Sequence, residues 1–191
     1  MKEKSTFGYI LRLSLTLLVI TGVIAAALAG VNSITKDRIA AAQEEKRAQA
    51  LLEVLPDGDK AVVLDKVQTL PAGVNGVLVS DSGYAVEVSP NGFGGPISMM
   101  VGVDREGRIL GVAVISHTET PSLGAVAGDK TSKGQSFRDQ YIGLSGRLAV
   151  TKDGGIVDAI SGATITSKAV TAGVNTALEC VRLLMQQNQA G

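Results

Sequence analysis

Between Leu13 and Val31 the chain runs for 19 residues without a charged side chain. No other feature narrows its folding options as far. Coiled as a helix, the stretch would span about 28 Å, close to the ~30 Å hydrocarbon core of a bilayer. Ser14, Thr16 and Thr21 can bond to preceding carbonyls and need not prevent insertion. A second reading stays open. Lys2, Lys4 and Arg12 precede the run, and Ala27-Leu28-Ala29 resembles a signal-peptidase site. We carry forward a retained anchor in contact with membrane lipid. Lys36 and Arg38 follow the run closely, so the charge asymmetry leans only weakly towards an N-terminus in the cytoplasm and a domain facing outward. No second run of this length follows, and a single-pass protein is the expectation.

Beyond the run, Asn32 to Leu55 is rich in Ala, Glu, Gln, Lys and Arg and stops before Pro56-Asp57-Gly58, as a helix would. Its apolar residues gather only at the end, at Leu51, Leu52, Val54 and Leu55, which suggests a polar stalk that docks by its last turn. From Ala61 the hydrophobic period becomes two. Strands are expected over Ala61–Val67, Gly76–Ser80, Tyr84–Ser89, Ile97–Val103 and Ile109–Ser116, with a further candidate at Arg147–Thr151. Asp81-Ser-Gly83 and Asp104-Arg-Glu-Gly107 read as hairpin turns. From about Thr166 to Gln187 the period returns to that of a helix, with Val170, Val174, Ala177, Leu178, Val181, Leu184 and Met185 on one apolar face. The expected class is α+β: an N-terminal membrane helix and helical stalk, then a glycine-rich antiparallel sheet closed by a C-terminal helix. The boundaries are 1–12, 13–31 (span), 32–60 (stalk) and 61–191 (domain).

Composition removes several functions. Lysine plus arginine equals aspartate plus glutamate at 18 each, the basic residues are not clustered, and there is no Trp, so a nucleic-acid partner is not expected. Cys180 is the one cysteine and His117 the one histidine. This chain alone therefore cannot build a disulfide, an iron–sulfur cluster, a bis-histidine haem or a Cys- or His-rich metal site. If the protein handles electrons, its carrier should be organic. No Ser-His-Asp set appears, and no catalytic residue is expected.

Asp158-Ala-Ile-Ser161-Gly162-Ala163-Thr164-Ile-Thr166-Ser167 lies just ahead of the last helix. Its hydroxyls can be ordinary helix caps, and Gly162 an ordinary tight turn. The same segment suits a phosphate, because a helix start offers unpaired N–H groups and a positive dipole end. A threonine hydroxyl esterified there would leave a phosphodiester with one negative charge, stabilised by about 0.3–1 kcal/mol from the dipole. Lys168 is near enough in sequence to add a counter-charge.

Asp-x-x-Ser/Thr-Gly-Ala-Thr resembles the flavinylation motif of FMN-binding domains, in which a flavin transferase joins flavin mononucleotide to the final threonine through its phosphate. A chance match is expected in roughly one chain of this length in a few thousand. The resemblance implies covalent FMN on Thr164, with Ser161, Gly162 and Ala163 around it and Asp158 as the acidic residue of the motif. His117-Thr-Glu-Thr-Pro-Ser-Leu-Gly124 is similar to a His-x-Glu-Thr-Pro-Gly-Leu-Gly stretch of the same domains and implies a flavin wall made of Glu119, Thr120, Leu123 and Gly124. It departs at Ser122, where the family has Gly, which puts the loop's backbone conformation in question. Asn91-Gly-Phe-Gly-Gly-Pro-Ile97 is a weaker likeness, in which Gly94 and Gly95 would let backbone approach the ring system.

Taken along its whole length, the chain resembles the G-subunit family of Rnf complexes, ion-translocating ferredoxin:NAD oxidoreductases of bacterial membranes. That likeness implies an electron carrier outside the cytoplasmic membrane, working with the other membrane and peripheral Rnf subunits. Three alternatives stay open: the C subunit of a sodium-translocating NADH:quinone reductase, a tethered flavoprotein of another chain, and a flavin-free domain that uses the hydroxyls as caps.

Overall fold

The computed structural model describes residues 3–64 and 70–189 and divides into two compact units after Glu44. Helix α1 spans Glu3–Val54. In the first unit every residue from Phe7 to Ile34 is exposed. The most apolar 18-residue window of this helix has a mean hydropathy of 2.3 and no burial. A helix apolar on all sides, with no partner face, is a membrane-spanning candidate. Thr16 donates to the Arg12 carbonyl at 2.8 Å and Thr21 to that of Leu17 at 2.9 Å, so these hydroxyls are satisfied without water.

The second unit, from Glu45, is built on a five-stranded antiparallel meander in sequence order: β1 Val62–Val63, β2 Val74–Val79, β3 Gly83–Val88, β4 Ser98–Asp104 and β5 Ile109–Ser116. The two expected hairpin turns close, with Ser80 N–H on the Gly83 carbonyl at 2.9 Å and Gly107 N–H on that of Asp104 at 3.2 Å. Helix α2 covers Ser132–Asp139 and α3 covers Thr164–Gln189. Of the expected Ala61–Val67 strand, only Val62–Val63 is a strand among the described residues, and residues 65–67 lie outside them.

Period-two burial gives the sheet two dry faces. Val86, Val88, Met99, Val101 and Val103 share one core with Val170, Val174, Ala177 and Val181 of α3. At roughly 1.5–3 kcal/mol per fully buried side chain, this is the main source of cohesion. Phe137 and Tyr141 extend it edge-to-face, and the Tyr141 hydroxyl is satisfied by Thr171 at 2.8 Å. Cys180 packs there, 1% exposed, and burial pushes its thiol up to about 11.

The opposite face carries Ala85, Met100 and Ala113 and receives Ala50, Val54 and Leu55 from the end of α1. Gly102 and Gly111 are paired across β4 and β5 beneath Val54. A Cβ on Gly102 would overlap the Val54 carbonyl, so the helix end rests directly on sheet backbone. Buried Glu87 on this face is neutralised by Arg47.

Two elements differ from the sequence expectation. Arg147–Thr151 is not a strand; it contributes one isolated parallel bridge, Val150 to Val157. The reason is Asn175 of α3, whose amide takes both the N–H and the carbonyl of Leu148 at 2.8 Å each, leaving no ladder to join. The unanticipated α2 has little apolar periodicity. It is held by its Thr131 cap and by buried Arg138, which donates to the Ala127 and Asp129 carbonyls.

Gly102→Ala should destabilise the domain by about 1–3 kcal/mol through this overlap, read as a lower thermal midpoint of the full chain in detergent. A second test concerns Asp57, whose carboxyl is held down at about 2, from an ordinary 3.8, by hydrogen bonds from the Ser82 and then the Ser80 hydroxyls. Its contribution is therefore complete above pH 3.8 and lost as pH falls towards 2. Asp57→Asn should flatten the melting profile across that window.

Candidate functional site

The carbonyl of Ala163 accepts the Ser167 N–H at 3.0 Å, which makes Ala163 the cap residue of α3 and Thr164 its first helical residue. Alanine has no side chain to cap with. Among the described residues no group accepts from the N–H of Thr164, Ile165 or Thr166. The neighbouring hydroxyls do not fill this role. Ser161 is exposed, and Ser167 Oγ accepts from Ile160 N–H at 2.9 Å, outside the helix. The first turn is thus left with open donors and a positive dipole end.

Of the five hydroxyls on α3, four donate to protein groups: Thr166 to Glu119, Ser167 to the Ala163 carbonyl, Thr171 to that of Ser167 and Thr176 to that of Ala172. Thr164 alone accepts without donating. Its Oγ1 takes a hydrogen bond from Lys152 Nζ at 2.9 Å, and its own proton has no acceptor among the described residues.

A cleft of about 360 Å³, at the small end of the range usual for ligand sites, opens at this helix start. It gathers Thr164, Gly162, Ala163, Glu119, Thr120, Leu123 and Gly124, all singled out from the sequence, and adds Phe93, Lys152, Ile165 and Thr166. Ser161 and Asp158 are not part of its lining. Asp158 is exposed, and its backbone is clamped by the Gln140 amide at 2.7 and 3.2 Å. A larger hollow of about 870 Å³ runs along α3 past Pro71, Glu106, Arg147 and Arg182, but none of the motif residues line it.

The Glu-Thr-Pro loop and the glycine-rich loop are welded together. Glu119, only 6% exposed, accepts from Gly94 N–H at 2.8 Å and from the Thr166 hydroxyl, while Thr118 Oγ1 donates to the Gly94 carbonyl at 2.9 Å. Cβ atoms on Gly92, Gly94 or Gly124 would overlap Glu119 or Thr118. The glycines therefore admit the protein's own 117–120 loop, where the sequence suggested room for a ring system. Glu119 touches the cleft, but both its oxygens already serve protein donors. Lys168 pairs with Asp153 at 2.7 Å, and Lys152 rather than Lys168 stands against the threonine.

Ser122 has φ 63° and is the one non-glycine residue at positive φ among the described residues. Thr120-Pro121-Ser122-Leu123 closes with Leu123 N–H on the Thr120 carbonyl at 3.2 Å, with Pro second and left-handed backbone third, as a type II turn requires. Its backbone is one that glycine adopts at no cost, which is the physical content of the departure noted in the sequence.

A family model described as FMN-binding domain matches residues 92–179, and one described as RnfG N-terminal region matches residues 1–54. The G subunit of the ion-translocating oxidoreductase complex of Pseudomonas aeruginosa is 35% identical over 183 residues, covering 84% of this chain and 86% of that one. The chain belongs to this G-subunit family. The G subunit of the Na(+)-translocating ferredoxin:NAD(+) oxidoreductase complex of Acetobacterium woodii is 32% identical over 203 residues, 93% of this chain and 95% of that one. The Haemophilus influenzae G subunit is 38% identical over 181 residues, 85% and 83%. A crystal structure of the C subunit of the Na(+)-translocating NADH-quinone reductase from Parabacteroides distasonis shares the fold, with a TM-score of 0.55 at 21% identity over 75% of this chain and 94% of that one.

The matched span takes in both loops, Lys152 and the α3 start, and these residues fit FMN chemically. Open N–H groups and an ammonium suit a phosphate, and Phe93 (69% exposed), Ile165 (54%) and Leu123 (43%) offer apolar surface beside them. Lys152 and Phe93 were missed in the sequence. Lys152 lies twelve residues from Thr164 with no local pattern, while Phe93, the one aromatic among the loop's glycines, was a signal that could have been followed. Ser122→Gly should raise stability by about 0.5–1 kcal/mol, seen as a higher thermal midpoint.

Proposed function

We propose that this member of the G-subunit family is a membrane-anchored electron carrier that holds FMN by an ester between the flavin phosphate and Thr164. One observation carries the reading: within a matched FMN-binding domain, Thr164 is the single α3 hydroxyl that is held in place yet keeps its proton free. FMN, when bound, supplies the redox chemistry of the site. The chain's own residues bind and orient. The N–H groups of Thr164, Ile165 and Thr166 would donate to phosphate oxygens, Phe93, Leu123 and Ile165 would offer the flavin apolar surface, and Thr120 would border it. Glu119 acts through the loops it joins. Gly162, at φ 77° with Leu123 Cδ2 3.0 Å from an added Cβ, keeps the approach to Thr164 narrow but open. Exposed Asp158 and Ser161 are available to the modifying flavin transferase.

In this reading residues 13–31 cross the cytoplasmic membrane among its lipids, 32–60 form the stalk, and the FMN domain of 61–191 lies outside. Electrons pass to and from other subunits of an Rnf-type complex that couples their transfer to ion translocation. No residue acts as an acid or base on a substrate, so the chain is a component of an oxidoreductase rather than an enzyme by itself. The C subunit of the quinone reductase is the related alternative. The N-terminal match over residues 1–54 and the high mutual coverage with G subunits favour the Rnf assignment.

The test is the intact mass of the full chain after co-expression with a flavin transferase, with a peptide map and ultraviolet fluorescence of the denatured band. The expected result is one FMN ester, located on Thr164 and abolished by Thr164→Ala in a folded protein. Thr166, 1% exposed and committed to Glu119, should not substitute for it. A dark band for the wild-type chain would remove the reading.

A further inference from the structure

We propose that Lys152 is the charge-pairing and positioning residue of the attachment site. It holds the Thr164 hydroxyl before the ester exists and neutralises the phosphodiester monoanion afterwards. The proposal rests on the reading of Thr164 as FMN acceptor and adds a residue to it.

The argument begins with the turn that carries the lysine. Thr151–Asp153 is a short 3-10 turn closed by Gly154 at φ 79°. Thr151 N–H bonds to the Val157 carbonyl at 2.8 Å, Gly155 N–H to that of Val150 at 3.0 Å and Ile156 N–H to that of Ala149 at 3.1 Å. Gly155 is pressed against Ala149 so closely that no Cβ fits. Lys168 reaches across from α3 to Asp153 at 2.7 Å and ties the same turn to the helix. A long flexible side chain is thus launched from a fixed base and reaches the Thr164 hydroxyl at 2.9 Å.

The charges around it point the same way. Asp153, the adjacent acid, is already paired with Lys168, and Glu119, the acid in the cleft, serves Gly94 and Thr166. The described partner of Lys152 is the neutral Thr164 hydroxyl. An ammonium that lines a cleft against a neutral oxygen, beside open N–H groups, is a cation placed for an anion that the free chain does not supply. Accepting from Lys152 fixes Oγ1 and leaves its proton to be removed by an outside base. Oγ1 then bonds to the flavin-side phosphorus of a flavin dinucleotide held by the transferase, the P–O–P linkage breaks, the nucleoside monophosphate leaves, and the new phosphodiester lies beside the ammonium that already touches Oγ1. An exposed ion pair of this kind is salt-sensitive.

The test uses the full chain and its Lys152→Met, Lys152→Glu and Lys152→Arg variants. One readout is the initial rate of covalent labelling during co-expression with a flavin transferase, by in-gel fluorescence normalised to protein. The other is the affinity of free FMN for the same variants in a Thr164→Ala background, measured across a sodium chloride series. We expect Lys152→Met to lower affinity roughly tenfold and to flatten its salt dependence, Lys152→Glu to lose more, and Lys152→Arg to stay near wild type. Because Lys152 is exposed, all variants should keep the wild-type thermal midpoint. A loss in either readout that Arg restores supports the proposal. No loss in either, or a loss that Arg fails to restore, overturns it. A wild-type chain that stays unlabelled overturns the Thr164 reading instead, and Lys152 is then decided by the affinity series alone.

Discussion

The packing of α3 on the sheet governs everything placed at its N-terminal end. Val170, Val174, Ala177 and Val181 share a dry core with β3 and β4, and Gly173 lets the helix come close, where a Cβ would stand 2.8 Å from Pro90 Cγ and 3.0 Å from Met99 Sδ. Once that distance and rotation are set, the first turn of α3 has one place to emerge. The Asn175 clamp on Leu148 brings the following strand-like segment, and with it the Lys152 turn, into line with the same helix. A polar site of a few residues is therefore positioned by apolar contacts about two to five helical turns away.

Around that start the polar groups divide into those satisfied by protein and those kept open. Glu119 would be costly to bury alone, and its two oxygens answer Gly94 and Thr166. That closure ties two loops distant in sequence to the first turn of α3 and leaves the Thr166 hydroxyl committed to Glu119. Among the described residues, the N–H groups of the first turn of α3 stay open and Lys152 meets a neutral hydroxyl. The division separates framework from reactive surface more sharply than residue identity does, since threonines occur on both sides of it.

How much of this was legible depended on how local each cause is. The membrane candidate, the strands β2 to β5, the hairpin turns and the apolar face of α3 follow from periodicity and turn chemistry within a few residues, and the structure has them within a residue or two. The segment from Asp158 to Thr164 stood out as a motif, and most of the residues singled out with it line one cleft. The failures are non-local. The strand expected at Arg147–Thr151 yielded to a side chain in α3, and α2 is held by a cap and a buried arginine rather than by an apolar stripe. Gly94 lies against Thr118, a contact that the spacing of the loop's glycines does not show. Gly102 and Gly111 lie inside two expected strands, and their need for glycine comes from Val54, distant in sequence, packed above them. Lys152 carries no signature of its own, because its meaning lies in a neighbour that only the folded chain provides.

Sealing the single thiol has a consequence for where such a domain can operate. Cys180 lies on the buried face of α3, and its thiol, pushed up to about 11 by burial, stays protonated at neutral pH. It offers no purchase to oxidants, to thiol–disulfide exchange or to cross-linking with a second copy. With one thiol, and that one buried, the domain has no internal disulfide to gain or lose as the redox poise of its surroundings changes.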